Sequence, residues 1–156
     1  MAIETILLAV GPADDDRADM LAESVIDIAG PLGADVVIGH VFTEEEFDRL
    51  EAQLDAGGSS AIVPELVARR QPAVRTIGER LDAAAVSYSV EGEVGDHAEA
   101  IVRLAEDVGA DRVFVGGRKR SPTGKAMFGS TAQQVMLNAP CPVTYVRDAI
   151  RPSRSS

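Results

Sequence analysis

The chain is poor in several things that other protein classes require. It has one cysteine, Cys141, which excludes an internal disulfide and a cysteine-only metal cage. It has no tryptophan and only 4% aromatic residues, which leaves no platform for stacking single-stranded nucleic acid. It has only two lysines, and acids outnumber bases 25 to 15, for a net charge of −10. Such a balance excludes general affinity for DNA or RNA and docking on an anionic membrane. No apolar run approaches the roughly 20 residues of a spanning helix, and no basic stretch precedes the apolar run of residues 1–10. The expectation is a soluble protein of a reducing cytoplasm.

What is present is one domain's worth of sequence: 156 residues, 46% hydrophobic, enough for a packed core. Arginine replaces lysine almost everywhere, which suits a saline cytoplasm that screens self-repulsion, or a GC-rich coding sequence. Both lysines fall in one stretch, Gly116-Gly117-Arg118-Lys119-Arg120-Ser121-Pro122-Thr123-Gly124-Lys125, with four cations and no acid. It reads as an anion-binding loop or as a solvated basic loop.

Along the chain, strand and helix patterns alternate. Ile3 to Val10 and Val36 to Phe42 read as buried strands, Ser87 to Val90 as a shorter strand near an edge, and Asp111 to Val115 and Val143 to Val146 as the last two. Asp14, Asp15 and Asp16 can cap and charge a helix carrying Leu21, Val25, Ile28 and Ala29, which Gly30-Pro31 is expected to end. Thr43-Glu44-Glu45-Glu46 has the form of a capping box before a short helix, and Gly57-Gly58-Ser59-Ser60 reads as a mobile loop. Residues 62–85 form a long helical pattern that Pro72 should kink or break. Asp96 caps a helix with Ala100, Ile101, Leu104 and Val108 on one face and Gly109 as its C-cap, and a last helix spans about 130–138. Residues 1–147 are expected to form a single domain, followed by a polar tail, 148–156.

Five strands separated by helices predict an α/β fold: a doubly wound, five-stranded parallel sheet, order 3-2-1-4-5, with helices on both faces. Its switch point lies between strands 1 and 4, where such folds bind ligands beyond the carboxyl ends of the strands. The loops after those strands, Gly11 to Asp16 and Gly116 to Gly129, therefore converge. Gly116 and Gly117 permit close backbone approach, and Gly129-Ser130 opens a helix whose free amides can hold phosphate.

The stretch from Gly116-Gly117-Arg118-Lys119 through Phe128-Gly129-Ser130, with Ala139-Pro140-Cys141-Pro142-Val143, Ile6-Leu7-Leu8-Ala9-Val10, Gly39-His40-Val41 and 105–111, resembles the universal stress protein family over nearly the whole chain. The resemblance implies homodimers paired through the last strand (Val143, Tyr145), an unknown protein partner and, in one subfamily, ATP or AMP binding, with Mg²⁺ accompanying a triphosphate. It implies no known turnover. By the match, Gly116, Gly129 and Ser130 lie around ribose and phosphates, the Thr131 backbone near phosphate, and Val41 against adenine. Ala9, Val10, Gly11, Gly117, Arg118 and Lys119 complete the candidate nucleotide-binding set. Three positions depart from the pattern: Lys119 stands for the second glycine, Gly11 for an aspartate after strand 1, and Ala132 where binders often carry a hydroxyl. Lys119 could crowd the ribose–phosphate path or reach a phosphate, and Asp14 to Asp16 could compensate for the missing carboxylate or repel phosphate.

His40, within a strand pattern, reads as packed or hydrogen-bonded in the core, and His97 as a neighbour of the Asp96 cap. Cys141 between two prolines reads as structural, and no spacing suits a metal. No catalytic residue is assigned. Three functions fit: a nucleotide-sensing stress-response module, a nucleotide-free dimeric interaction protein of the same fold, or a slow ATP hydrolase or self-phosphorylating protein.

Overall fold

The computed structural model describes residues 2–54, 63–117 and 129–147. The elements run in the order β1 (Thr5–Val10), a 3-10 helix (Pro12–Arg17), α1 (Ala18–Leu32), β2 (Asp35–Phe42), α2 (Glu44–Leu54), α3 (Pro64–Arg69), α4 (Pro72–Ala83), β3 (Tyr88–Val94), α5 (His97–Val108), β4 (Arg112–Gly117), α6 (Ser130–Asn138) and β5 (Val143–Arg147). Strands pair in parallel in the order β3-β2-β1-β4-β5, as the alternation predicts.

The central strands are apolar on both faces because helices cover both. Ile6, Leu8, Val10, Val36, Ile38 and Phe114 face α1, α3 and α4, where Leu21, Val25, Val67, Ile77 and Leu81 meet them. Leu7, Ala9, Val37, Val41, Val113 and Val115 face α5 and α6, against Ile101, Leu104 and Val135. Burying a side chain of this size contributes about 1.5–3 kcal/mol relative to leaving it exposed.

The structure departs from the sequence expectations at several boundaries. Gly30-Pro31 does not end the first helix. A proline in the last turn forfeits only one helical bond, and α1 runs on to Leu32, where Gly33 (φ 66°) closes it in the left-handed conformation. Asp14 to Asp16 do not open that helix but lie in the preceding 3-10 helix. The pattern over 62–85 is broken before Pro72, as expected, into two helices, α3 and α4, separated at Arg70 and Gln71. Pro72 lacks the N–H needed to continue α3 and starts α4 in its first turn. β3 extends to Val94, further than Ser87 to Val90. The loop expected at Gly57 to Ser60 lies outside the described residues. Both ends of α5 match expectation: the Asp96 carboxylate accepts the Glu99 N–H at 3.1 Å, and Gly109 (φ 65°) is left-handed.

Candidate functional site

The register sets Ala9 of β1 between Gly39 of β2 and Val115 of β4. Two residues beyond that row stand Val41, Gly11 and Gly117, at the carboxyl edge where the strand order reverses. Ala9, Val10 and Val41 are buried, and their side chains belong to the core.

The loop after β1 is closed on itself. The Gly11 N–H donates to Asp14 Oδ2 at 2.7 Å, and the Asp14 N–H donates back to the Gly11 carbonyl at 3.0 Å. The second carboxylate oxygen of Asp14 pairs with the Arg17 guanidinium, and both residues are buried. An amide and a guanidinium thus satisfy the carboxylate where water cannot. Asp14 is turned inward on this lock, while Asp15 and Asp16 are exposed.

Gly116 and Gly117 have neighbours on opposite faces of β4. A Cβ on Gly116 would stand 2.9 Å from Asp14 Oδ1 and 3.0 Å from Arg17 Cδ. A Cβ on Gly117 would fall within 1.7 Å of the Tyr145 hydroxyl and 2.3 Å of its ring carbon Cε1. One glycine admits the ion pair beneath the crevice, and the other admits the phenol of β5.

α6 begins at Ser130 behind Gly129, which offers no side chain to cap it. The first N–H groups of a helix lack intrahelical acceptors and carry the positive end of its dipole. Gly129 and Ser130 are exposed and Thr131 is half-buried, so these amides and the Ser130 hydroxyl are open to an anion. Arg118 and Lys119, with the other loop cations, lie outside the described residues.

The remaining candidates have structural surroundings. His40 is 1% exposed, its ring stacked on Phe42 at 4.4 Å between centroids, and its Nδ1 has no hydrogen-bond partner among the described residues. It is packed, without the core hydrogen bond that was the other expectation. Burial pushes its pKa down to about 4, against the pull of Glu46 and with the push of His97. His97 does more than neighbour a cap: its Nε2 lies 3.1 Å from Glu46 Oε1, joining α5 to α2. Burial raises the Glu46 carboxyl, but the Thr43 N–H and the His97 ring outweigh it and hold it below its ordinary value. Burial raises the Cys141 thiol, which makes it a poor nucleophile. Among the described residues no group of three His, Cys, Asp or Glu is placed to hold a metal, and no helix is long and apolar enough to cross a membrane.

Sequence reasoning missed two parts of this site. The Asp14–Arg17 pair had a local signal in its i, i+3 spacing of opposite charges behind a glycine. The Tyr145 contact had none, because it joins residues from different strands.

The family model described as the Universal stress protein family matches residues 2–147. The chain belongs to the universal stress protein family. The universal stress protein MJ0531 of Methanocaldococcus jannaschii is 29% identical over 127 residues, covering 81% of this chain and 72% of the relative. Among solved structures, a universal stress protein in complex with cAMP is 19% identical with a TM-score of 0.61, covering 96% of this chain and 100% of that one. A universal stress protein family member from Arabidopsis thaliana with AMP bound is 14% identical with a TM-score of 0.62, covering 97% of each chain. At these identities the likeness to this universal stress protein shows the fold.

Proposed function

We propose that this universal stress protein binds an adenine nucleotide, AMP or ATP, in the crevice between β1 and β4, and acts as a stress-response module through contacts that the nucleotide alters. The observation that supports this reading is the start of α6, where among the described residues no side chain caps the helix and Gly129 and Ser130 are exposed; in such a fold the loop after β4 and this helix start would meet at the switch point. The phosphates would take the amides of Ser130 and Thr131 and the Ser130 hydroxyl, joined by the cations Arg118 and Lys119. Base and ribose would lie toward the backbone of Ala9, Val10, Gly11 and Val41. The complexes of the fold neighbours with cAMP and AMP support the choice of ligand. Mg²⁺ would enter only with a triphosphate, whose oxygens would supply its ligands. Two copies would pair through the β5 edge at Val143 and Tyr145, because an unpaired strand offers a full row of donors and acceptors.

A nucleotide-free reading draws on Gly11. Its amide is taken by Asp14, and a Cβ there would stand 3.9 Å from Asp14 Oδ2. The aspartate that the family's binders carry at this position would face a carboxylate already in place. The open amides would then hold another anion, or an acidic group of a protein partner.

Chromatography of the supernatant from freshly purified, denatured protein, together with equilibrium dialysis against AMP, separates the two. Released adenine nucleotide, or saturable AMP binding that Ser130→Ala weakens roughly tenfold, the value of about 1.4 kcal/mol of hydrogen bonding, is expected. No released nucleotide and no AMP binding at low or high salt would sink the nucleotide reading.

A further inference from the structure

Among the described residues, α2 is the helix held most lightly. None of residues 44–53 is buried, whereas α1, α3, α4, α5 and α6 each carry buried side chains. Its described hold is Phe47 and Leu50, half-buried against the core, and the contact of Glu46 with His97. Phe47 lies 5.8 Å from Phe42 between ring centroids, and Phe42 stacks on His40, so a row of three rings joins the helix to β2. The last ring of that row, His40, is buried, and its Nδ1 has no partner among the described residues. A neutral imidazole can leave one nitrogen bare. The cation must carry an N–H on each, and a buried N–H without an acceptor is costly. Among the described residues, the charges that bear on this ring are Glu46 of α2, which favours the cation, and His97 of α5, which opposes it. α1, α3 and α4 meet the same sheet face with Leu21, Val25, Val67, Ile77 and Leu81, all apolar.

We propose that α2 is an acid-released arm: when the His40 ring gains a proton, the helix lifts from β2 and lets water reach the charge. With the arm open the ring takes its proton near 6.5 rather than about 4, a preference for opening that reaches roughly 300-fold in acid. Acid also charges His97, which tightens its contact with Glu46 and opposes opening. That pair is 30% and 29% exposed, so water screens it, and it resists by about fivefold at most. Glu46, held below its ordinary value of 4.5, keeps most of its charge down to that pH. The buried histidine therefore decides the direction.

Hydrogen exchange on the full chain, read by NMR with the intrinsic pH dependence divided out, tests this. Between pH 7 and pH 4.5 the protection of amides 47–53 is expected to fall roughly tenfold or more. Dilute urea should barely alter that opening, because lifting one half-buried helix exposes little surface. The amides of α1 open with the whole fold, and the same urea should lower their protection strongly. His40→Phe, which keeps the ring row and has no proton to gain, should lose no α2 protection over this range. Glu46→Gln can keep the Thr43 cap while removing the charge that His97 holds in acid, so its fall should be at least as steep as the parent's. No fall in the parent, α2 amides with the urea sensitivity of α1, or a fall that persists in His40→Phe overturns the proposal. A shallower fall in Glu46→Gln assigns the titration to Glu46 and overturns it as well. The parent's own pH and urea series decides the matter even if His40→Phe does not fold.

Discussion

At one rim of the sheet, β3 carries Glu91 and Glu93, and the backbone of α3 presses on it at Gly92, where a Cβ would stand 2.3 Å from the Pro64 carbonyl oxygen. At the other rim, β5 reads Val143-Thr144-Tyr145-Val146-Arg147, without an acid, and its first three side chains are half-buried. The chain's net charge is −10, so two β3 rims brought together would set carboxylates against carboxylates. An edge of like charges resists pairing with its own copy, and an acid-free one lacks that repulsion. The β3 side is organised for packing, with His40 and the α3 contact nearby. The β5 side carries the Gly116-Gly117 pair, an α6 start behind Gly129 and, among the described residues, a strand paired along one edge.

The largest effect is expected at Gly92. Its alanine would meet a backbone carbonyl, which cannot swing aside as a side chain can, so Gly92→Ala should lower the unfolding free energy in urea by about 3 kcal/mol or more. A loss below 1 kcal/mol would show that the β3 side yields as readily as the other. Next comes acid. The unfolded chain's His40 takes a proton near its ordinary value of 6.5, and the folded one only near about 4. Stability from this group is therefore complete above pH 6.5 and falls across the window down to about pH 4, by about 3 kcal/mol in all. Glu46 and Asp111, both held below their ordinary values, add losses lower in the same descent. The difference between the parent and His40→Phe, which keeps the stack on Phe42, isolates the histidine. Equal pH slopes for the two would remove it from the account.

On the opposite rim, Val143→Glu gives β5 the charge that β3 already has. If two copies pair through β5 as proposed, sedimentation should then show dimer dissociation raised roughly a hundredfold, about 2.7 kcal/mol, with unfolding of the monomer little altered. An unchanged dimer would place the contact elsewhere. The smallest effect is expected at the start of α5, where Asp96→Ala removes one cap bond and should cost about 1 kcal/mol in the same urea titration.

Strand order was legible because each buried run is bounded by Gly, Pro or Asp and alternates with a helical pattern. Right-handed crossovers then leave little choice. Helix ends were less so. Gly30-Pro31 has the composition of a stop, yet a proline in the final turn leaves the rest of the ladder intact, and the stop is Gly33. The crevice was legible as a place and not as a set of contacts. Gly116 and Gly117 announce close approach, but what approaches comes from the loop after β1 in one case and from β5 in the other, and spacing along the chain carries neither. Asp14 could be read as compensating or repelling. The inward turn of its carboxylate onto Gly11 and Arg17 depends on the 3-10 helix, whose formation no periodicity signals. His97 reads as a cap neighbour because its partner, Glu46, lies 51 residues away.

On the proposed β5 pairing, the unlike rims would also govern stoichiometry. Two copies joined through β5 would consume both acid-free strands at once and turn outward only the acidic, α3-packed β3. Such a pair has no further strand to offer a third molecule, so the assembly would be self-limiting, and concentrating the protein would add pairs rather than lengthen a fibre.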